Sequence, residues 1–278
     1  MNIVKLETSQ SLRPNLWSTS INRLIALEIL HKEFPNEPLV HIESDVWISR
    51  IFPFDAFVTN GLAIAYPIVN ETLAIASTIY FLNHLQTKLL ADYAKDSFRK
   101  GSKRTDMQLL ADFAKLESNV TVLPSFPLGI PLSQQGKLVL ASQDSYSKFD
   151  GIFDGATLGM FLTGFDPIHY FGFRKMFSKP SDHLFDGHIL TYSLRDGDLI
   201  EVNFKGISFP VYSLHIQSKD LRIFQNSKRI RRFQKILSKL KEVQGGVAYE
   251  FDPKSINGNL IHFSKGIVFK LYEFFRRR

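Results

Sequence analysis

Leu39-Val40-His41-Ile42-Glu43-Ser44-Asp45 is the stretch on which the fold turns. Its first four residues form a short buried-strand pattern, and the apolar run stops where two acids begin. The strand therefore delivers Glu43 and Asp45 to its carboxyl end. In open α/β sheets that end is where ligands bind. Two acids straddling one small residue can both turn toward a single hard cation. They also suit a solvated strand end followed by a helix cap.

Upstream, Ser18-Thr19-Ser20 precedes Ile21, Leu24, Ile25, Leu27, Ile29 and Leu30. That three-and-four spacing predicts a helix capped by Ser18 or Ser20 and stopped near Pro35. Downstream, residues 62–69 read as a second strand, and 71–95 as a helix carrying Leu73, Ile75, Ala76, Ile79, Tyr80 and Leu82. Thr105 or Asp106 caps a further helix through Leu109, Leu110, Phe113 and Leu116, and Val120-Thr121-Val122-Leu123 is a strand halted by Pro124. Strand followed by helix recurs, which argues an α/β layer architecture. Residues 124–172, rich in Gly, Pro, Asp and aromatics, read as irregular segments lining a site. Residues 189–204 carry a hairpin signature around Arg195-Asp196-Gly197-Asp198, and Val211 to Ile216 is a last strand.

The chain has 278 residues, 44% of them hydrophobic and 22% charged, enough to bury a full core. It contains no Cys, which excludes disulfides, thiolate metal sites and cysteine nucleophiles. Any metal is then held by carboxylates, imidazoles or carbonyls. The amino terminus lacks a secretory pattern, and no stretch of about twenty apolar residues appears. The expected location is cytoplasmic or peripheral to a membrane.

Three further elements stand beside Glu43 and Asp45. Thr105-Asp106-Met107-Gln108-Leu109-Leu110 opens a helix, so Asp106 suits both a cap and a chemical role. Leu214-His215-Ile216-Gln217-Ser218-Lys219 places an imidazole four residues before a cation. Phe153-Asp154-Gly155-Ala156-Thr157-Leu158-Gly159 and Thr163-Gly164-Phe165-Asp166-Pro167 set Asp154 and Asp166 among glycines, where backbone can approach a ligand closely. These also read as ordinary Asp-Gly turns.

Val40 to Ile48 resembles the strand carrying the DxD motif of GT-A type glycosyltransferases, with Glu43 in place of the first Asp. Residues 105–110 followed by 120–124 are similar to the helix-then-strand block of glycogenin-like transferases, and 214–219 resembles the late His-x-x-x-Lys element of the same superfamily. The resemblance implies a Rossmann-like mixed sheet flanked by helices. It implies Mn2+ or Mg2+ held by Glu43, Asp45 and His215, with Glu43, Asp45 and Lys219 toward the diphosphate. The general base would be Asp106 or Asp154, beside an acceptor held by the 153–167 region. The activity implied is hexosyl or pentosyl transfer from a nucleotide-sugar donor to a glycan or lipid-linked acceptor. Such domains open with two or three strands ahead of the acidic motif, whereas here one helix and no clear strand precede it. The departure implies a fragment, or a surface supplied by a partner or an unusual element.

From Asn226 to Arg278 there are 13 Lys and Arg against 4 Asp and Glu, a net +9 in a chain of net +7, so residues 1–225 carry a net −2. The organisation read from this is a domain over 1–225 and a basic, helical C-terminal extension over 226–278. Lys228 to Lys241 and Ile267 to Arg278 each pattern as a basic amphipathic helix. Such segments suit an anionic membrane surface. Nucleic acid is the lesser expectation, because no recognised binding motif accompanies the basic residues. Two acids and a His also suit a metal-dependent phosphoester hydrolase.

Overall fold

The computed structural model describes residues 14–162, 184–185, 189–196 and 199–215, and over these the chain is mixed α/β. Helix α1 (Pro14–His31) begins four residues ahead of Ser18, so the expected cap falls inside the helix. Proline suits a first helical turn because its missing N–H has no intrahelical partner there. Ile21, Leu24 and Leu27 are buried as the spacing requires, while Ile29 and Leu30 are exposed.

Strand β1 (Leu39–Ile42) forms over the residues read, though as an edge strand that is half-buried and not buried, and β2 (Val46–Ile48) follows after the turn that carries the acids. A short helix, α2 (Phe54–Thr59), leads to β3 (Ile64–Tyr66) and β4 (Ile68–Asn70). The single strand expected over 62–69 is thus divided at Pro67, which has no N–H to give a ladder. Its two halves join different sheets, because β4 pairs, among the described residues, with β5 (Leu73–Ala74) alone.

The helix expected over 71–95 is corrected more substantially. Residues 73–74 are strand, Thr78–Phe81 form β6, and helix α3 runs from His84 to Arg99. All four residues of β6 are buried, and a run buried on both faces has no period with which to announce itself. The helix begins where Asn83 caps it, its side chain accepting from the Leu85 N–H at 3.0 Å. Helix α4 (Asp106–Leu116) begins as expected with Thr105, whose capping box with Gln108 satisfies two end donors reciprocally. Strand β7 (Val120–Val122) follows.

The remaining described elements are α5 (Lys137–Asp144), α6 (Tyr146–Phe149), β8 (Ile152–Phe153), α7 (Thr157–Leu162), β9 (Thr191–Arg195), β10 (Leu199–Phe204) and β11 (Ile207–His215). Three helices and a strand thus occupy the described part of the span read as irregular, while the hairpin β9–β10 forms as read and the last strand begins at Ile207, four residues ahead of Val211.

Strands β1-β6-β3-β7 make one sheet, with β3 and β7 parallel and the other pairs antiparallel. A second sheet runs β2-β11-β10-β9, with β8 parallel to β11. One face of the first sheet, through Ile64, Tyr66, Ile79 and Phe81, joins a core with Ile21 and Leu24 of α1, Leu90 and Ala94 of α3, and Leu109 and Phe113 of α4. The other face, through Ala65 and Tyr80, meets an aromatic cluster of Phe52, Phe57, Phe149, Phe153 and Tyr212. Tyr80 stacks on Phe57 at 4.8 Å, and the Tyr212 hydroxyl donates to the Phe149 carbonyl at 2.6 Å. That cluster clamps the two sheets together where the chain crosses from one to the other. No described helix is long and apolar enough to cross a membrane.

Candidate metal centre

The crossing from the first sheet to the second takes place at Glu43-Ser44-Asp45. The β1–β6 ladder ends at Ile42 opposite Thr78, and the Glu43 N–H continues it by donating to the Ser77 carbonyl at 3.1 Å. The Val46 N–H then closes a turn on the Glu43 carbonyl, and Val46 pairs opposite His215 at the end of β11. Register alone therefore brings His215 beside an acid some 170 positions earlier in the chain.

One ligand atom from each of Glu43, Asp45 and His215 lies within 4.8 Å of the others. His215 Nε2 stands 3.2 Å from Asp45 Oδ2 and 3.8 Å from Glu43 Oε2. Around one divalent ion, bonds of about 2.1 Å set neighbouring ligands about 3 Å apart and opposite ones about 4.2 Å apart. The spread of the three atoms is close to that, and two carboxylates with one imidazole match Mn2+ or Mg2+ in mixed N,O coordination. Asp45 is the most exposed of the three side chains, at 36%, and gives the cluster its access to solvent.

The electrostatics follow from this geometry. The hydrogen bond from His215 holds the Asp45 carboxyl below its ordinary range. Burial alone would lower His215, but the hydrogen bond to Asp45 and the charges of Asp45, Glu43 and Asp154 outweigh it and hold the imidazole above its usual value. The centre is thus poised to hold positive charge, a proton or a cation, between its acids.

Asp106 reaches the same cluster through a residue that the sequence reading did not single out. Arg23, on α1, donates to Glu43 Oε1 with one nitrogen and to Asp106 Oδ2 at 3.3 Å with another. Glu43 therefore divides its oxygens, one to Arg23 and one toward His215. Asp106 is 5% exposed; burial raises its pKa, and Arg23 opposes that rise. Its Oδ1 makes no hydrogen bond among the described residues. His41, also passed over, lies near Arg23 and Glu43, and burial together with Arg23 pushes its pKa down to about 4. The only advance sign of either residue was a polar side chain within an apolar pattern.

Asp154 is placed differently from the expectation of an acceptor-facing base. It is fully buried, with Oδ1 accepting from the Leu158 N–H at 2.8 Å and Oδ2 accepting from Gly159 at 2.8 Å and His215 at 3.1 Å. Both oxygens are engaged by backbone, so the carboxylate stands behind the centre. Lys219, Asp166 and the 226–278 extension lie outside the described residues. Comparison with protein-family models, curated proteins and solved structures finds no match to this chain.

Proposed function

We propose that this chain is a metal-dependent glycosyltransferase with a GT-A-like arrangement, moving a sugar from a nucleotide-diphosphate sugar to a glycan or lipid-linked acceptor. The observation that carries the reading is the meeting of Glu43, Asp45 and His215 at the junction of two sheets. Those are the residues that the motif resemblance names for the cation, and they come from opposite ends of the described chain.

A divalent ion held there supplies charge neutralisation for a departing diphosphate. The chain's own residues do the rest. Asp45 and His215 orient toward the ion, while Arg23 ties Glu43, in the turn after β1, to Asp106 at the start of α4. Asp106, whose Oδ1 makes no hydrogen bond among the described residues and whose pKa burial raises, takes the proton of the acceptor hydroxyl in this reading. The basic extension, by its composition, brings the domain to an anionic membrane surface where lipid-linked acceptors reside.

Calorimetric titration of UDP and GDP in the presence of Mn2+, in parallel with Asp45→Asn, tests the reading. Manganese-dependent nucleotide binding that Asp45→Asn abolishes is the expected result. Absence of binding by the unsubstituted chain would sink it, and turnover of a phosphoester without any sugar acceptor would replace it with a hydrolase.

A further inference from the structure

Metal-ligating histidines ordinarily hold their ring by donating the second ring N–H to a carboxylate, carbonyl or water. Among the described residues His215 has no such anchor. Its Nδ1 is buried and makes no hydrogen bond among the described residues. Besides the contact of Nε2 with Asp45, the described support of this residue acts on its main chain at the end of β11.

We infer that Asp154 is the positioning residue for the metal centre, acting through the backbone of His215 and, by way of Ser77, through the backbone of Glu43. The inference rests on the metal-site reading above. Strand β8, parallel to β11, ends at Phe153 opposite Ser213, which brings Asp154 level with the end of β11. The Asp154 N–H donates to the Ser213 carbonyl at 2.9 Å, and its carboxylate then accepts the His215 N–H. The same carboxylate holds the Leu158 and Gly159 N–H groups, so the start of α7 is drawn onto His215.

The approach is close enough to demand glycine. A Cβ on Gly159 would lie 1.9 Å from the His215 carbonyl oxygen, and one on Gly155 would lie 1.7 Å from the Ile68 carbonyl oxygen. Ala156 between them takes φ +84, a left-handed conformation that persists only where its surroundings determine it. The loop is therefore packed tightly against β4 and the last residue of β11, with the His215 N–H bonded to Asp154 and its carbonyl close against Gly159.

Ser77 extends the same support to the other ligand. Fully buried, it donates its hydroxyl to the Asp154 carbonyl at 3.3 Å and accepts the Glu43 N–H on its own carbonyl at 3.1 Å. Glu43, Ser77, Asp154 and His215 thus form one continuous line behind the centre, joining a ligand from the first sheet to a ligand from the second.

The test uses Mn2+ alone as probe on the full chain, comparing unsubstituted protein with Asp154→Asn, Ser77→Ala and Asp45→Asn. Asparagine keeps the shape of Asp154 but sets an amide N–H against backbone donors. Asp154→Asn is expected to weaken Mn2+ binding by about 10- to 100-fold, the range for outer contacts of a metal site. It should also diminish the nitrogen modulation from imidazole in the electron spin echo of the residual bound Mn2+. Ser77→Ala should weaken binding by a smaller factor in the same direction. Circular dichroism melts establish that each variant is folded.

A residue that merely caps α7 would leave the imidazole signature intact. A folded Asp154→Asn protein with unchanged affinity and unchanged nitrogen modulation overturns the inference. If Asp154→Asn does not fold, Ser77→Ala decides in its place, unchanged affinity again overturning it. If the unsubstituted chain binds no Mn2+, or Asp45→Asn binds it equally well, the metal-site reading itself falls, a failure distinct from that of Asp154.

Discussion

Replacing Arg23 with Met isolates the charge that ties the two acidic elements together. Methionine fills much of the same volume, so the change removes the guanidinium without opening a large cavity. It leaves Asp106, whose side chain is 7% exposed, without its cationic neighbour. Breaking a fully buried pair in this way costs about 3–5 kcal/mol. Here the Arg23 side chain is 25% exposed and the contact to Asp106 is 3.3 Å, so about 2 kcal/mol is the expected loss at neutral pH. For a domain of this size that corresponds to a fall in Tm of about 4–8 °C.

The loss should depend on pH in a definite direction. Burial already raises the Asp106 pKa, and removing Arg23 raises it further. A carboxyl with a raised folded pKa takes up a proton in the native state that the unfolded state does not bind. The cost of Arg23→Met is therefore present at neutral pH and shrinks as pH falls through the folded value. Adding Asp106→Asn should recover about 1–2 kcal/mol relative to additivity in a double-mutant cycle. Urea denaturation at neutral and mildly acid pH, in chelator to exclude metal, measures all of this. A cost below about 0.5 kcal/mol, or one indifferent to both pH and Asp106→Asn, would refute the coupling.

Manganese affinity should rise with pH and level off, since the ion displaces a proton from His215, whose pKa is held above its ordinary value. Below that pKa the fall should approach about tenfold per pH unit, with proton release visible in buffers of different ionisation enthalpy. His41, lowered to about 4, is neutral in the folded state, so its contribution is present above the unfolded value near 6.5 and is lost as pH falls toward 4. Between pH 7 and 5, His41→Gln should lose less stability than the unsubstituted chain, by about 1–2 kcal/mol after allowance for the ring's partial exposure. Thr105→Ala removes the side-chain half of the α4 capping box and should cost about 1 kcal/mol in urea denaturation, without altering Mn2+ binding.

The sequence by itself determined the local elements with a clear signal. Strand β1, the capping box of α4, the hairpin β9–β10 and the last strand all declare themselves by apolar runs, cap residues or turn residues, which act between near neighbours in the chain. The order of acids and His along the chain was equally legible. What it misread was β6, because a strand flanked by β1 and β3 and buried on one face by helices and on the other by aromatics shows a continuous apolar run that suits a helix as well. Tertiary structure alone decided the rest. Pairing of Val46 with His215 places the three ligands together, and helix packing sets Arg23 between Glu43 and Asp106. It also turns Asp154 inward onto the His215 backbone. Those outcomes depend on strand register and on which face each element buries. Both are fixed by contacts between residues far apart in the chain, which local periodicity does not encode.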